Sequence, residues 1–156
     1  MLPSILGNLI LQSHHDLKTK MEVMFLEKYL ELKIELNAKK DYGQTVFHYA
    51  CKQGNSKLVE ILMKKCNELK IDLNAQDYLG LTGFHIICTY GRTREHTIIL
   101  EQILDNAESL KINLTTKNCY GRTGFQSAST MGRLQVILLI RKKVPIEILK
   151  HLMFEN

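Results

Sequence analysis

What most constrains this chain is a fourteen-residue pattern that occurs three times. "DYGQTVFHYACKQG" runs from Asp41 to Gly54, "YLGLTGFHIICTYG" from Tyr78 to Gly91 and "CYGRTGFQSASTMG" from Cys119 to Gly132. In each copy a glycine is followed two residues later by threonine and four later by phenylalanine. A second glycine closes the pattern eleven residues after the first, giving Gly43/Gly54, Gly80/Gly91 and Gly121/Gly132. The lead-in repeats too: "LKIELNAKK" from Leu32, "LKIDLNAQ" from Leu69 and "LKINLTTK" from Leu110. Copies 37 and 41 residues apart fall in the range of stacked-repeat architectures. A unit of that size cannot bury its own apolar faces and must stack on its neighbours.

One copy suffices to read the unit. Phe47, Ala50 and Cys51 stand at i, i+3 and i+4, one face of a short helix. Thr45 precedes it, where a hydroxyl can satisfy a first-turn N–H, and Gly54 follows it, where glycine ends helices in the left-handed region. Gly91 and Gly132 are expected to do the same. Leu58, Val59, Leu62, Cys66 and Leu69 then recur at helical spacing, with Lys57, Glu60, Lys64, Lys65 and Glu68 facing water. An arm follows in which Ile71, Leu73 and Ala75 alternate with polar residues and lead into the next glycine turn. Two antiparallel helices and a hairpin-like loop make one unit.

Here the residues resemble the ankyrin repeat, with its turn containing Asp and Gly, its T-P-L-H-x-A stretch, a glycine turn and a Val/Leu-rich second helix. The first copy matches at Gly43, Thr45, Phe47, His48, Ala50, Gly54, Val59 and Leu62. The second matches at Asp77, Gly80, Thr82, Phe84, His85, Gly91, Leu100 and Ile103. The third matches at Gly121, Thr123, Phe125, Ala128, Gly132, Ile137 and Ile140. The resemblance implies an all-α solenoid of helix–turn–helix units joined by hairpin-like loops. Three repeats are expected over residues 33–141, at about 37–74, 75–115 and 116–141, with a degenerate N-terminal capping repeat over 1–32 and a capping helix or tail over 142–156. The chain departs from the pattern at Val46, Gly83 and Gly124, which replace the proline and imply a less rigid helix start. Ile87 replaces a small residue, which implies neighbouring helices pushed apart. Gln126 replaces the third histidine, and "RTREHT" at Arg92–Thr97 reads as a four-residue insertion.

His48 with Cys51 and His85 with Cys88 share an H-x-x-C spacing that suits a metal or a thiol nucleophile, but the third copy offers Gln126 and Ser129 there. Zinc wants four ligands, and a reactive cysteine must be exposed with its pKa lowered. Neither suits a position inside a helix pair, and the resemblance implies that the histidines brace neighbouring loops. No phosphate loop, nucleophile elbow or paired-carboxylate motif occurs. No enzyme, no cofactor and no metal are therefore expected, with all four cysteines reduced.

The 156 residues carry a formal charge of +5. The basic residues lie in short groups such as Lys39-Lys40 and Arg141-Lys142-Lys143 without a nucleic-acid motif. No apolar run is long enough to span a membrane, and "MLPSILGNLILQ" lacks the basic start and cleavage site of a signal peptide. The expectation is a cytoplasmic or nuclear monomer that binds another protein and can mask or inhibit it, with no small-molecule substrate. The resemblance implies contacts on the concave hairpin and first-helix face, here Tyr42, Gln44, Tyr78, Leu79, Leu81, Tyr90, Tyr120, Arg122 and Met131. Tyr78, Leu79 and Leu81 would form an exposed apolar tip on the middle repeat. The alternative is a structural scaffold whose basic surface contacts nucleic acid or anionic membrane; steep weakening with salt would identify it.

Overall fold

The computed structural model describes residues 24, 27, 28 and 35–154. Contacts divide the chain into Met1–Leu36 and Asn37–Asn156. In the first unit, Met24, Glu27 and Lys28 are helical. The capping repeat expected over 1–32 otherwise lies outside the described residues.

Among the described residues, 35–154 form seven α-helices and no strand. Three pairs follow one another: α1 (Val46–Gln53) with α2 (Ser56–Leu69), α3 (Gly83–Tyr90) with α4 (Arg94–Asn106), and α5 (Gly124–Thr130) with α6 (Leu134–Lys143). Pro145 separates α6 from α7 (Ile146–Phe154). First helices stack in the order α1, α3, α5, α7, and second helices in the order α2, α4, α6. The apolar positions of the pattern are the core: Phe47, Ala50, Cys51, Phe84, Ile87, Cys88, Phe125 and Ala128 are buried, as are Val59, Leu62, Ile99, Leu100, Ile103 and Ile140. Leu58 and Leu69, expected on that face, are half-buried, and Met63 joins it instead.

Local chemistry sets the helix ends. Thr82, Thr93 and Thr123 accept the third-residue N–H of α3, α4 and α5, and Asn55 Oδ1 accepts the Leu58 N–H of α2 at 3.1 Å. Gly54 and Gly132 have φ of +68° and +65°, the left-handed ending expected of them. Gly91 does not: its φ is −61°. The chain leaves α3 extended because Thr93 starts a new capping box at once. Glycine is required there by space, since a Cβ would lie 2.6 Å from the Ile87 carbonyl oxygen and 3.0 Å from His96 Cβ. The insertion is also elsewhere than expected. Only one extra residue lies in the α3–α4 loop; the rest lengthen the turn after α4, before Lys111 closes it at φ +54°.

Between repeats, glycine and phenylalanine interlock. A Cβ on Gly83 would lie 2.5 Å from the Phe47 ring, and one on Gly124 would lie 2.7 Å from the Phe84 ring. At Gly83 and Gly124 the missing proline thus leaves room for the preceding repeat's phenylalanine. Asparagines clip the arms. Asn37 donates to the Lys70 carbonyl (2.7 Å) and accepts the Asp72 N–H (2.8 Å). Asn74 does the same with the Lys111 carbonyl (2.9 Å) and the Asn113 N–H (2.7 Å).

Candidate functional site

Each hairpin tip is a closed turn. The Lys40, Asp77 and Asn118 N–H groups donate to the carbonyls of Gln44, Leu81 and Arg122. In the second tip Asp77 Oδ1 also accepts the Leu79 and Leu81 N–H groups, both at 2.9 Å. In the third, Asn118 Oδ1 accepts those of Tyr120 and Arg122 at 2.9 and 3.1 Å. Lys40 has no acceptor to offer, and the first tip turns instead through a 3-10 segment with Tyr42 at φ +60°.

Neighbouring tips are tied to each other. The Tyr78 N–H donates to the Tyr42 carbonyl (3.0 Å), and the Cys119 N–H to the Leu79 carbonyl (2.9 Å). The histidines complete the tie. His48 Nε2 donates to the Leu81 carbonyl (2.8 Å) while Nδ1 accepts the Thr45 N–H (3.1 Å). His85 Nε2 donates to the Arg122 carbonyl (3.1 Å) while Nδ1 accepts the Thr82 N–H (3.3 Å). A carbonyl only accepts, so each ring is fixed as the Nε2–H tautomer with both nitrogens engaged. No lone pair remains for a metal. Burial pushes both imidazole pKa values below their ordinary range, outweighing the Leu81 or Arg122 carbonyl and the Asp77 charge.

Cys51 and Cys88 are fully buried, and burial pushes both thiols up, away from the thiolate a nucleophile needs. Cys66 is buried and Cys119 exposed; all four are free thiols. Among the described residues no group of three His, Cys, Asp or Glu side chains is placed to hold a metal, and no helix is long and apolar enough to cross a membrane.

The expected contact residues divide by exposure. Tyr42, Tyr78 and Tyr120 are 76%, 74% and 70% exposed, one on each tip. Leu79, Tyr90, Met131 and Arg122 are exposed as well. Gln44 and Leu81 are buried, so the middle tip offers Tyr78 and Leu79 but not Leu81. Both occupy the residue after the tip glycine, and Gln44 reaches the following tip, where its Nε2 meets Asp77 Oδ2 at 3.5 Å. Arg122 holds the same place with no tip after it and is exposed.

Sequence reasoning missed ties at the opposite end of the helices. Thr93-x-x-His96 is a third Thr-x-x-His unit, inside the segment read as an insertion, and the His96 Nε2 donates back to the Lys52 carbonyl (3.2 Å). Arg133 donates twice to the equivalent Thr89 carbonyl, from Nε at 3.1 Å and from one terminal nitrogen at 2.8 Å. The spacing Thr93–His96 was visible; the Arg133 contact left no pattern.

A family model described as the ankyrin repeat matches residues 42–75, which span the first tip, α1, α2 and the following arm. No curated protein matches the chain.

Proposed function

We propose, from the premise that this chain is an ankyrin-repeat protein, that it works by binding a partner protein through its tips and its first helices α1, α3 and α5. Ankyrin repeats generally mediate protein–protein interaction and are typically non-catalytic. One observation carries the choice of face: Tyr42, Tyr78 and Tyr120 are exposed on three tips that backbone and histidine hydrogen bonds join into one frame. Tyrosine supplies large contact area at small entropic cost, and a frame already fixed binds with little ordering penalty. Leu79, Tyr90, Arg122 and Met131 extend the surface, which can mask the partner and inhibit it in the cytoplasm or nucleus. No catalysis is part of this function.

The test is the double substitution Leu79→Ser/Tyr90→Ala, in two residues about half exposed. A partner captured from cell lysate by the wild-type chain and identified by mass spectrometry should bind the variant at least tenfold more weakly, about 1.4 kcal/mol, with little change in Tm. A large fall in Tm with normal binding by the folded remainder would show that these side chains serve the stack instead.

A further inference from the structure

We propose that a second surface, the cleft between the second and third repeats at the helix–helix turns, docks an acidic peptide segment of a partner protein. The cleft encloses about 650 Å³ between the α3–α4 loop and the start of α6, within the size of ligand-binding pockets, roughly 300–1,000 Å³. At its back lie Ile87 and Leu100, both buried, and Val136. Three arginines line it, Arg92, Arg94 and Arg133, with no carboxylate among its lining residues.

The arginines are not neutralised from within. Arg92 and Arg94 are exposed and make no ion pair or side-chain hydrogen bond among the described residues. Arg133 is held by the Thr89 carbonyl, which fixes its guanidinium without cancelling its charge. Glu95, the acid next to Arg94, turns the other way and accepts the Ser56 hydroxyl at 2.6 Å. The ten-residue helix α6 adds its positive end. No side chain caps it, and its first-turn residues Gln135 and Val136 line the cleft.

Charge complementarity therefore selects an anionic occupant, and the apolar back wall selects among anions. Ile87, Leu100 and Val136 offer nothing to a bare phosphate but suit an aliphatic side chain. No phenylalanine, tyrosine or tryptophan lines the cleft to stack a base, and the His96 ring is held by the Thr93 hydroxyl and the Lys52 carbonyl. A peptide with a leucine between glutamates meets both requirements. None of the tip residues lines this cleft, so the inference stands apart from the tips, although Tyr90 and Met131 directly precede its Gly91 and Gly132.

The probe is a short fluorescein-labelled peptide of glutamates around a central leucine, titrated by fluorescence anisotropy against the full chain. Two variants carry the same change in net charge: Arg92→Glu/Arg94→Glu in the cleft, and Lys40→Glu/Lys142→Glu at exposed positions outside it. All four residues are exposed, and circular dichroism checks that both variants fold. The cleft pair should weaken binding at least tenfold, the control pair less than about twofold, and replacing the leucine by glycine should weaken the wild-type complex. Leu79→Ser alone, on the middle tip at the other end of α3, should bind the peptide as wild type does, so failure of one surface is distinguishable from failure of the other. Equal loss for the two charge pairs, no binding to the wild-type chain, or displacement by an oligothymidine strand more effective than by unlabelled peptide would each overturn the proposal.

Discussion

A histidine with both ring nitrogens engaged by fixed backbone groups has one tautomer and one charge state available to it. In His48 and His85, protonation at Nδ1 would set an N–H against the Thr45 or Thr82 N–H that now donates to it. Burial opposes the charge as well, and both pKa values lie below the ordinary one. The unfolded chain takes up protons near pH 6.5 where the native chain does not. The unfolded state therefore binds more protons below that pH, and stability is lost as pH falls through it. Both histidines contribute to that loss, in the direction their lowered pKa values set. Gln126 shows the remedy: its Oε1 accepts the Thr123 N–H at 2.9 Å and its Nε2 donates to the Met153 carbonyl at 3.3 Å, without titrating. His48→Gln/His85→Gln should fold and should lose most of the fall in urea midpoint between pH 7.5 and 5.5. An unchanged pH slope would place the titrating groups elsewhere.

Between elements, the interlock of Phe47 with Gly83 sets how closely α1 and α3 approach. Alanine favours a helix over glycine by up to about 1 kcal/mol, so Gly83→Ala would stabilise the chain if the position were open. It is not: a Cβ there meets the Phe47 ring at 2.5 Å and Cys51 Sγ at 3.0 Å. Overpacking of that kind costs about 1–3 kcal/mol. Gly83→Ala should therefore destabilise the wild type but cost less in a Phe47→Leu background. The double-mutant coupling, measured by urea denaturation, should reach about 1 kcal/mol; additive effects would mean the two positions do not touch. The helices, their faces and the threonine caps were legible in the sequence because helical period and capping are local. The role of Gly83 was not, since its partner lies in the previous repeat and only the register of the stack joins them. Leu81 and Gln44 were misjudged for a related reason: position in a turn does not say which neighbouring tip covers a side chain. The φ of Gly91 was hidden by Thr93, which starts the next helix too soon for a left-handed ending.

At the scale of the molecule, the described helix pairs pack chiefly on the pairs beside them, so stability is a chain of neighbour couplings. At the C-terminal end α7 stands where a further first helix would. Leu152 is fully buried, its carbonyl accepts the Thr123 hydroxyl at 2.9 Å, and Met153 receives from Gln126 the bond that Leu81 and Arg122 receive from the histidines. Packing of α7 on α5 thus extends the first-helix stack by one helix, while α4 lies between α2 and α6 in the second. Truncating a buried leucine or isoleucine to alanine costs about 2–5 kcal/mol wherever it sits, but the linear stack predicts different consequences at the two places. Leu152→Ala should uncouple the end first: amides of α5 and α7 should lose hydrogen-exchange protection while those of α1 and α3 keep theirs. Ile99→Ala, at a fully buried position in α4, which packs on both α2 and α6, should lower protection in all three pairs together. Hydrogen exchange followed by mass spectrometry distinguishes the patterns. A uniform loss in Leu152→Ala, equal from α1 to α7, would show the repeats unfolding as one cooperative block and remove the basis for treating α7 as a cap.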